Sequence, residues 1–145
     1  MTLVYLDNCC FNRPFDNQQH PIVHLETQAK LFIQTEVVHG KLNLVWSFML
    51  EYENSDNPYD DRMEQIALWK NIAHIIIAPA QQILIQTKSI ERLGIKTKDA
   101  MHIACALFAK ADYFITTDKK LINKTIQDII VLNPVEFVRR HFNVR

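Results

Sequence analysis

Five short apolar runs rich in β-branched residues punctuate the chain: "TLVYL" at 2–6, "LNLVW" at 42–46, "HIII" at 74–77, "YFIT" at 113–116 and "IIVL" at 129–132. Apolar residues stand at consecutive rather than alternate positions, the pattern of strands covered on both faces. Between the runs, apolar residues recur at helical spacing. Ile22, Leu25, Ala29, Phe32, Ile33 and Val37 fall on one face as a 3.6-period stripe, predicting a helix over 22–38. Residues 63–73 and 80–93 predict two more helices, the second opened by Pro79 and closed by Gly94. Ala100, Ile103, Ala104, Leu107, Phe108 and Ala111 stripe residues 99–111, with Thr97 as candidate cap, and Asn133-Pro134 opens a last helix over 134–141. Only residues 8–21 read as a long loop.

Strands alternating with helices predict a three-layer α/β/α architecture with a central, mainly parallel, five-stranded Rossmann-like sheet. A length of 145 residues suits a single domain over 1–145 and is too short for two. Two glycines, Gly40 and Gly94, exclude the Gly-rich phosphate loops of dinucleotide or P-loop proteins. Three cysteines, two of them adjacent at Cys9 and Cys10, give neither a disulfide framework nor C-x-x-C zinc spacing. That pattern predicts thiols in a reducing, cytoplasmic setting. The start, "MTLVYLDNCC", lacks the features of a secretory signal, and no apolar run reaches membrane-spanning length, so no membrane association is expected. The formal net charge of zero argues against strong nonspecific nucleic-acid binding and leaves local patches open.

The chemistry concentrates where strands end. In open α/β sheets ligands bind beyond the carboxyl ends of the strands. Asp7 follows the first run and Asp118 the fourth, Asp99 opens the helix leading into the fourth, and Glu51 and Glu53 lie in the helix after the second. Singly, each has an ordinary use as an Asx-turn, a helix cap, a partner of the helix dipole or a solvated charge. Brought to one edge, they repel unless protonated or bridged by a cation. Oxygen donors without clustered His or Cys suit Mg²⁺ or Mn²⁺. The six histidines are scattered, and His102 reads as packed against the sheet rather than as a ligand. Lys96 and Lys98 flank Asp99, Lys119 and Lys120 follow Asp118, and Arg13 follows Asp7. Each alone is an ordinary solvated cation; as a group they are candidate contacts to the phosphates of RNA. A receiver-like signalling module is a poor match, because Asp7 is followed by Asn8 and the third run leads into Ala78-Pro79 rather than an acid.

In this order, "VYLDNCCFN", "WSFMLEYEN", "KTKDAMHIACALFAKADYF" and "ITTDKKL" resemble the signature segments of PIN-domain proteins. Many of these are metal-dependent ribonucleases, including toxins of toxin–antitoxin pairs. The resemblance covers almost the whole chain. It implies a PIN-like fold and an endoribonuclease that hydrolyses RNA phosphodiester bonds with metal-activated water. Asp7 matches the family's first acid, Asp99 that of its "D-A-x-x-x-A" helix and Asp118 that of its "T-x-D" strand end. These three are implied as ligands of Mg²⁺ or Mn²⁺. The glutamate six residues after a helix-opening Ser or Thr selects Glu53 after Ser47, while an offset of two residues selects Glu51, which lies about 200° away on an ideal helix. Asn8, Thr116 and Thr117 match the small polar positions that support the acids. The segment "CCFNRPFDNQQHP" is longer than the family's common form. The resemblance further implies an RNA substrate, a cognate antitoxin and a homodimer; the alternative is a PIN-like RNA-binding or scaffold subunit that has lost catalysis.

Overall fold

The structure, a computed structural model, describes residues 1–142. The five apolar runs form β1 (Leu3–Leu6), β2 (Asn43–Ser47), β3 (Ile75–Ile77), β4 (Tyr113–Ile115) and β5 (Ile130–Leu132). They make one sheet in the order β3-β2-β1-β4-β5, every pair parallel. Residues of β1 and most of β2 are buried, whereas the edge strands leave Ile76 and Ile130 exposed. The consecutive apolar pattern therefore reports the central strands most faithfully.

Helices α1 (Asn8–Asn12) and α2 (Pro21–Val38) connect β1 to β2. Helices α3 (Phe48–Ser55), α4 (Asp60–Ala67) and α5 (Trp69–Ile72) connect β2 to β3, and α6 (Gln81–Glu91) and α7 (Thr97–Phe108) connect β3 to β4. A short α8 (Lys119–Ile122) leads to β5, and α9 (Pro134–His141) ends the described chain. Helix α2 packs with α9 and α6 with α7; parallel strands are joined by right-handed crossovers as a rule, which assigns these two pairs to opposite sides of the sheet. The chain moves outward from β1 to β3 and then returns to β4, so strand order reverses between β1 and β4. That reversal opens a crevice at their carboxyl ends. Trp46, Tyr5, Phe11, Phe114 and Phe137 fill the core, with Tyr5 and Phe114 stacked at 5.3 Å. No described helix is long and apolar enough to cross a membrane.

The helix expected over 63–73 is broken into α4 and α5, and three further local expectations change. The expected loop over 8–21 holds α1 and a 3₁₀ turn over Arg13–Phe15. Asp7 caps α1, and Cys10 and Phe11 anchor it in the core; five residues are too few for a helical period to show in sequence. The stripe of α2 splits: Ala29, Ile33 and Val37 are buried, but Ile22, Leu25 and Phe32 are exposed. Glu26, Thr27, Lys30, Gln34 and Glu36 turn inward instead. The helix is rotated because Glu26 meets Arg13 at 2.7 Å and Asn133, and Lys30 lies over the Phe11 ring at 5.7 Å. Third, Lys96 rather than Thr97 occupies the N-cap position of α7, and the Thr97 hydroxyl donates to Glu91 at 2.8 Å. Gly94, by contrast, terminates α6 as expected, at φ +87 where a side chain is strained.

Candidate functional site

The crevice between β1 and β4 is built from their ends. Leu6 pairs with Ile115, and the Asp7 N–H donates to the Ile115 carbonyl at 2.9 Å, which sets Asp7 level with Thr116. Asp7 is buried, its Oδ1 accepting from the Asn8 N–H at 2.8 Å and its Oδ2 from the Thr116 hydroxyl at 2.8 Å. Asp118 caps α8 by accepting the Lys120 N–H at 2.9 Å, while its own N–H donates to Thr116 Oγ1 at 3.1 Å. Thr116 thus bridges the two aspartates. Thr117 contributes through its backbone N–H, which donates to Cys9 Sγ at 3.4 Å.

The two glutamates separate cleanly. Ser47 caps α3 by accepting the Leu50 N–H at 3.2 Å, and Glu53 lies on the helix side that faces the crevice. Asn8 Nδ2 donates to Glu53 Oε2 at 3.0 Å, and His102 Nε2 lies 2.5 Å from Glu53 Oε1. Glu51 points elsewhere, accepting from Trp46 Nε1 at 3.0 Å and meeting Lys70 at 3.5 Å. Asp7, Glu53, Asp99 and Asp118 line one cleft of about 370 Å³, together with Asn8, Cys9, Asn12 and Asp16. A larger concavity, about 1060 Å³, lies at the other end of the sheet, around Asp112 and Ile130, away from these acids.

Electrostatics distinguish the acids. Burial, then the charges of Asp7 and Asp118, raise the Asp99 carboxyl above the ordinary aspartate value. Burial would also raise Glu53, but the hydrogen bond and charge of His102, assisted by Lys98 and Asn8, hold it below the ordinary value. Among the described residues, no lysine or arginine forms an ion pair with Asp7, Asp99 or Asp118. Also among them, no three His, Cys, Asp or Glu side chains are drawn together into a finished metal cage. The donor set nevertheless suits a hard divalent cation: three uncompensated aspartates share a cleft, and their mutual repulsion is what such an ion relieves.

The expected cations divide. Lys96 and Lys120 line a second hollow, about 280 Å³, which shares Asp99 and Asp118 with the first. Lys124 joins them there, a residue that sequence reasoning did not single out. Lys98 lies 5.9 Å from the Tyr52 ring, and Lys119 is exposed at the start of α8. The Arg13 guanidinium meets buried Glu26 at 2.7 Å and Asp16 at 3.1 Å, which ties the segment after β1 to α2. His102 packs against the sheet as expected and is also bonded to a cleft acid. Its signal was its place one helical turn after Asp99.

No family model and no curated protein sequence matches the chain. Solved structures do. A chain of VapBC2 from Rickettsia felis, bound to a DNA fragment from its promoter, is 14% identical, with a TM-score of 0.56 over 91% of this chain and 98% of that one. A chain of VapBC-1 from nontypeable Haemophilus influenzae is 19% identical, with a TM-score of 0.57 over 92% of this chain and 98% of that one. The architecture is that of a PIN-like α/β/α fold.

Proposed function

We propose that this PIN-like chain is a divalent-cation-dependent endoribonuclease, acting as the toxin of a toxin–antitoxin pair. The observation that carries the reading is the single cleft at the strand-order reversal lined by Asp7, Glu53, Asp99 and Asp118. The ordered acids of the PIN-like sequence segments and the likeness in fold to VapBC structures support it. Asp7, Asp99 and Asp118 would hold Mg²⁺ or Mn²⁺. When bound, such a cation would make water more acidic and offset the charge that develops on the phosphoryl and leaving oxygens. Thr116 keeps Asp7 oriented, and through the Asp118 N–H it sets the turn that aims Asp118. Glu53, held ionised by His102 and Asn8, keeps its carboxylate at the cleft wall, where it accepts a hydrogen bond from the attacking water and so orients it. Lys96, Lys120 and Lys124 hold the phosphates of the strand on either side of the scissile bond. The antitoxin is a partner protein that covers the same cleft, and the chain works in the cytoplasm.

Purified protein given Mn²⁺ cleaves single-stranded RNA internally, and excess EDTA stops it. Undiminished cleavage in EDTA contradicts the cation's role. Absence of cleavage across a mixed RNA pool, with Mn²⁺ present, favours the scaffold alternative.

A further inference from the structure

His102, on α7, is 0% exposed, and both ring nitrogens are engaged. Nε2 lies 2.5 Å from Glu53 Oε1, and Nδ1 lies 2.6 Å from Tyr5 Oη. Tyr5, in the centre of β1 and equally buried, lies 2.6 Å from Ser47 Oγ, which in turn accepts the Leu50 N–H. Ser47, Tyr5, His102 and Glu53 belong to four different elements, yet they form one hydrogen-bonded line from the sheet interior to the cleft. At the far end Asn8 holds the second oxygen of the glutamate.

Donors and acceptors along the line are consistent. Burial keeps the Tyr5 phenol protonated, so it remains a donor. A neutral ring accepts from Tyr5 at Nδ1, and a charged ring, which burial opposes but Glu53 and the nearby aspartates favour by raising the His102 pKa, donates to Tyr5 there; in both states Nε2 carries a proton and donates it to Glu53 Oε1. Every hydroxyl and ring nitrogen then has a partner, as buried polar groups require. A leucine would fill the same space without needing any of these bonds. An imidazole here therefore does something packing alone does not demand.

We infer that His102 is a positioning residue of the candidate nuclease site: its Nε2–H, braced by Tyr5 and Ser47, clamps Glu53 against Asn8 and fixes the carboxylate toward the cleft. This rests on the reading of that cleft as the nuclease site. The glutamate is oriented before substrate arrives, and the cation is left to Asp7, Asp99 and Asp118. Second-sphere hydrogen bonds of this kind tune a site without touching the reacting atoms.

The test compares wild type with His102→Leu, His102→Gln and Tyr5→Phe. Folding is followed by circular dichroism, Mn²⁺ affinity by electron paramagnetic resonance, and kcat and KM on single-stranded RNA. His102→Leu lowers kcat about 10- to 100-fold, with KM and Mn²⁺ affinity within about twofold. His102→Gln, whose amide N–H reaches toward the same oxygen, recovers part of the loss, and Tyr5→Phe gives a smaller deficit. A folded His102→Leu protein with wild-type kcat overturns the inference; so does one whose Mn²⁺ affinity falls in step with kcat. Imidazole ¹⁵N resonances of the wild-type protein give a second reading that needs neither RNA nor a variant of His102. The Nε2–H proton is hydrogen-bonded and far downfield, and Glu53→Gln shifts it; an unchanged resonance overturns the clamp. If wild type cuts no RNA, the nuclease reading fails, and the resonance still decides whether His102 holds Glu53.

Discussion

Asp99→Asn reduces RNA cleavage by more than about 100-fold, since it removes a proposed ligand rather than an outer partner whose loss costs 10- to 100-fold. The same variant, freed of metal, melts at a higher temperature than wild type. Asp99 titrates above the ordinary aspartate value because it is partly buried and faces Asp7 and Asp118. A carboxyl whose pKa is higher folded than unfolded binds more protons in the folded state. Its protonated form is the comfortable one, so stability falls as pH rises from the unfolded value of 3.8 through the higher folded value, and stays lower at neutral pH. Asparagine carries no charge and removes that penalty, a common trade between stability and function. Calorimetry in EDTA at pH 7 shows the variant a few degrees above wild type, whereas Mn²⁺ raises the wild-type midpoint and leaves the variant nearly unmoved. An Asp99→Asn protein that melts below wild type in EDTA shows that the acids do not strain one another.

Glu53→Gln lowers kcat about 10- to 100-fold, while Glu51→Gln leaves cleavage intact. The two differ by only two positions in α3, and the difference is one of direction. Glu53 meets Asn8 and His102 inside the cleft, whereas Glu51 serves Trp46 and Lys70 outside it. The Glu51 variant keeps most of the Trp46 contact and loses at most about 1 kcal/mol of stability, read as a shifted urea midpoint. Equal losses from both variants, or a loss from Glu51→Gln alone, overturn this assignment.

Much of this was legible in the chain. All five strands appear as apolar runs, and in the inner strands, covered by helices on both faces, no wet side breaks the pattern. Gly94 and Asn133-Pro134 mark helix ends by backbone geometry, independent of the rest of the fold. Helix α2 was misread at the level of face. Its period was visible, but Arg13 and Asn133, distant in sequence, determine that Glu26 turns inward while Leu25 and Phe32 stay out. The Arg13–Glu26 pair was invisible for the same reason, since an ion pair across 13 residues leaves no local trace. Asp7, Asp99 and Asp118 followed from strand ends and the family-like segments, and the structure brings them with Glu53 into one cleft. His102 was set aside because burial and site chemistry are usually alternatives; here one ring does both, one nitrogen bonded to the core and the other to the cleft.

A crystal of the protein soaked in Mn²⁺ and measured for anomalous scattering tests the central claim most directly. A strong peak is expected among the carboxylates of Asp7, Asp99 and Asp118, with those side chains drawn inward and Glu53 still bonded to His102. At saturating Mn²⁺, no peak in that cleft, or a peak held only elsewhere on the surface, contradicts it.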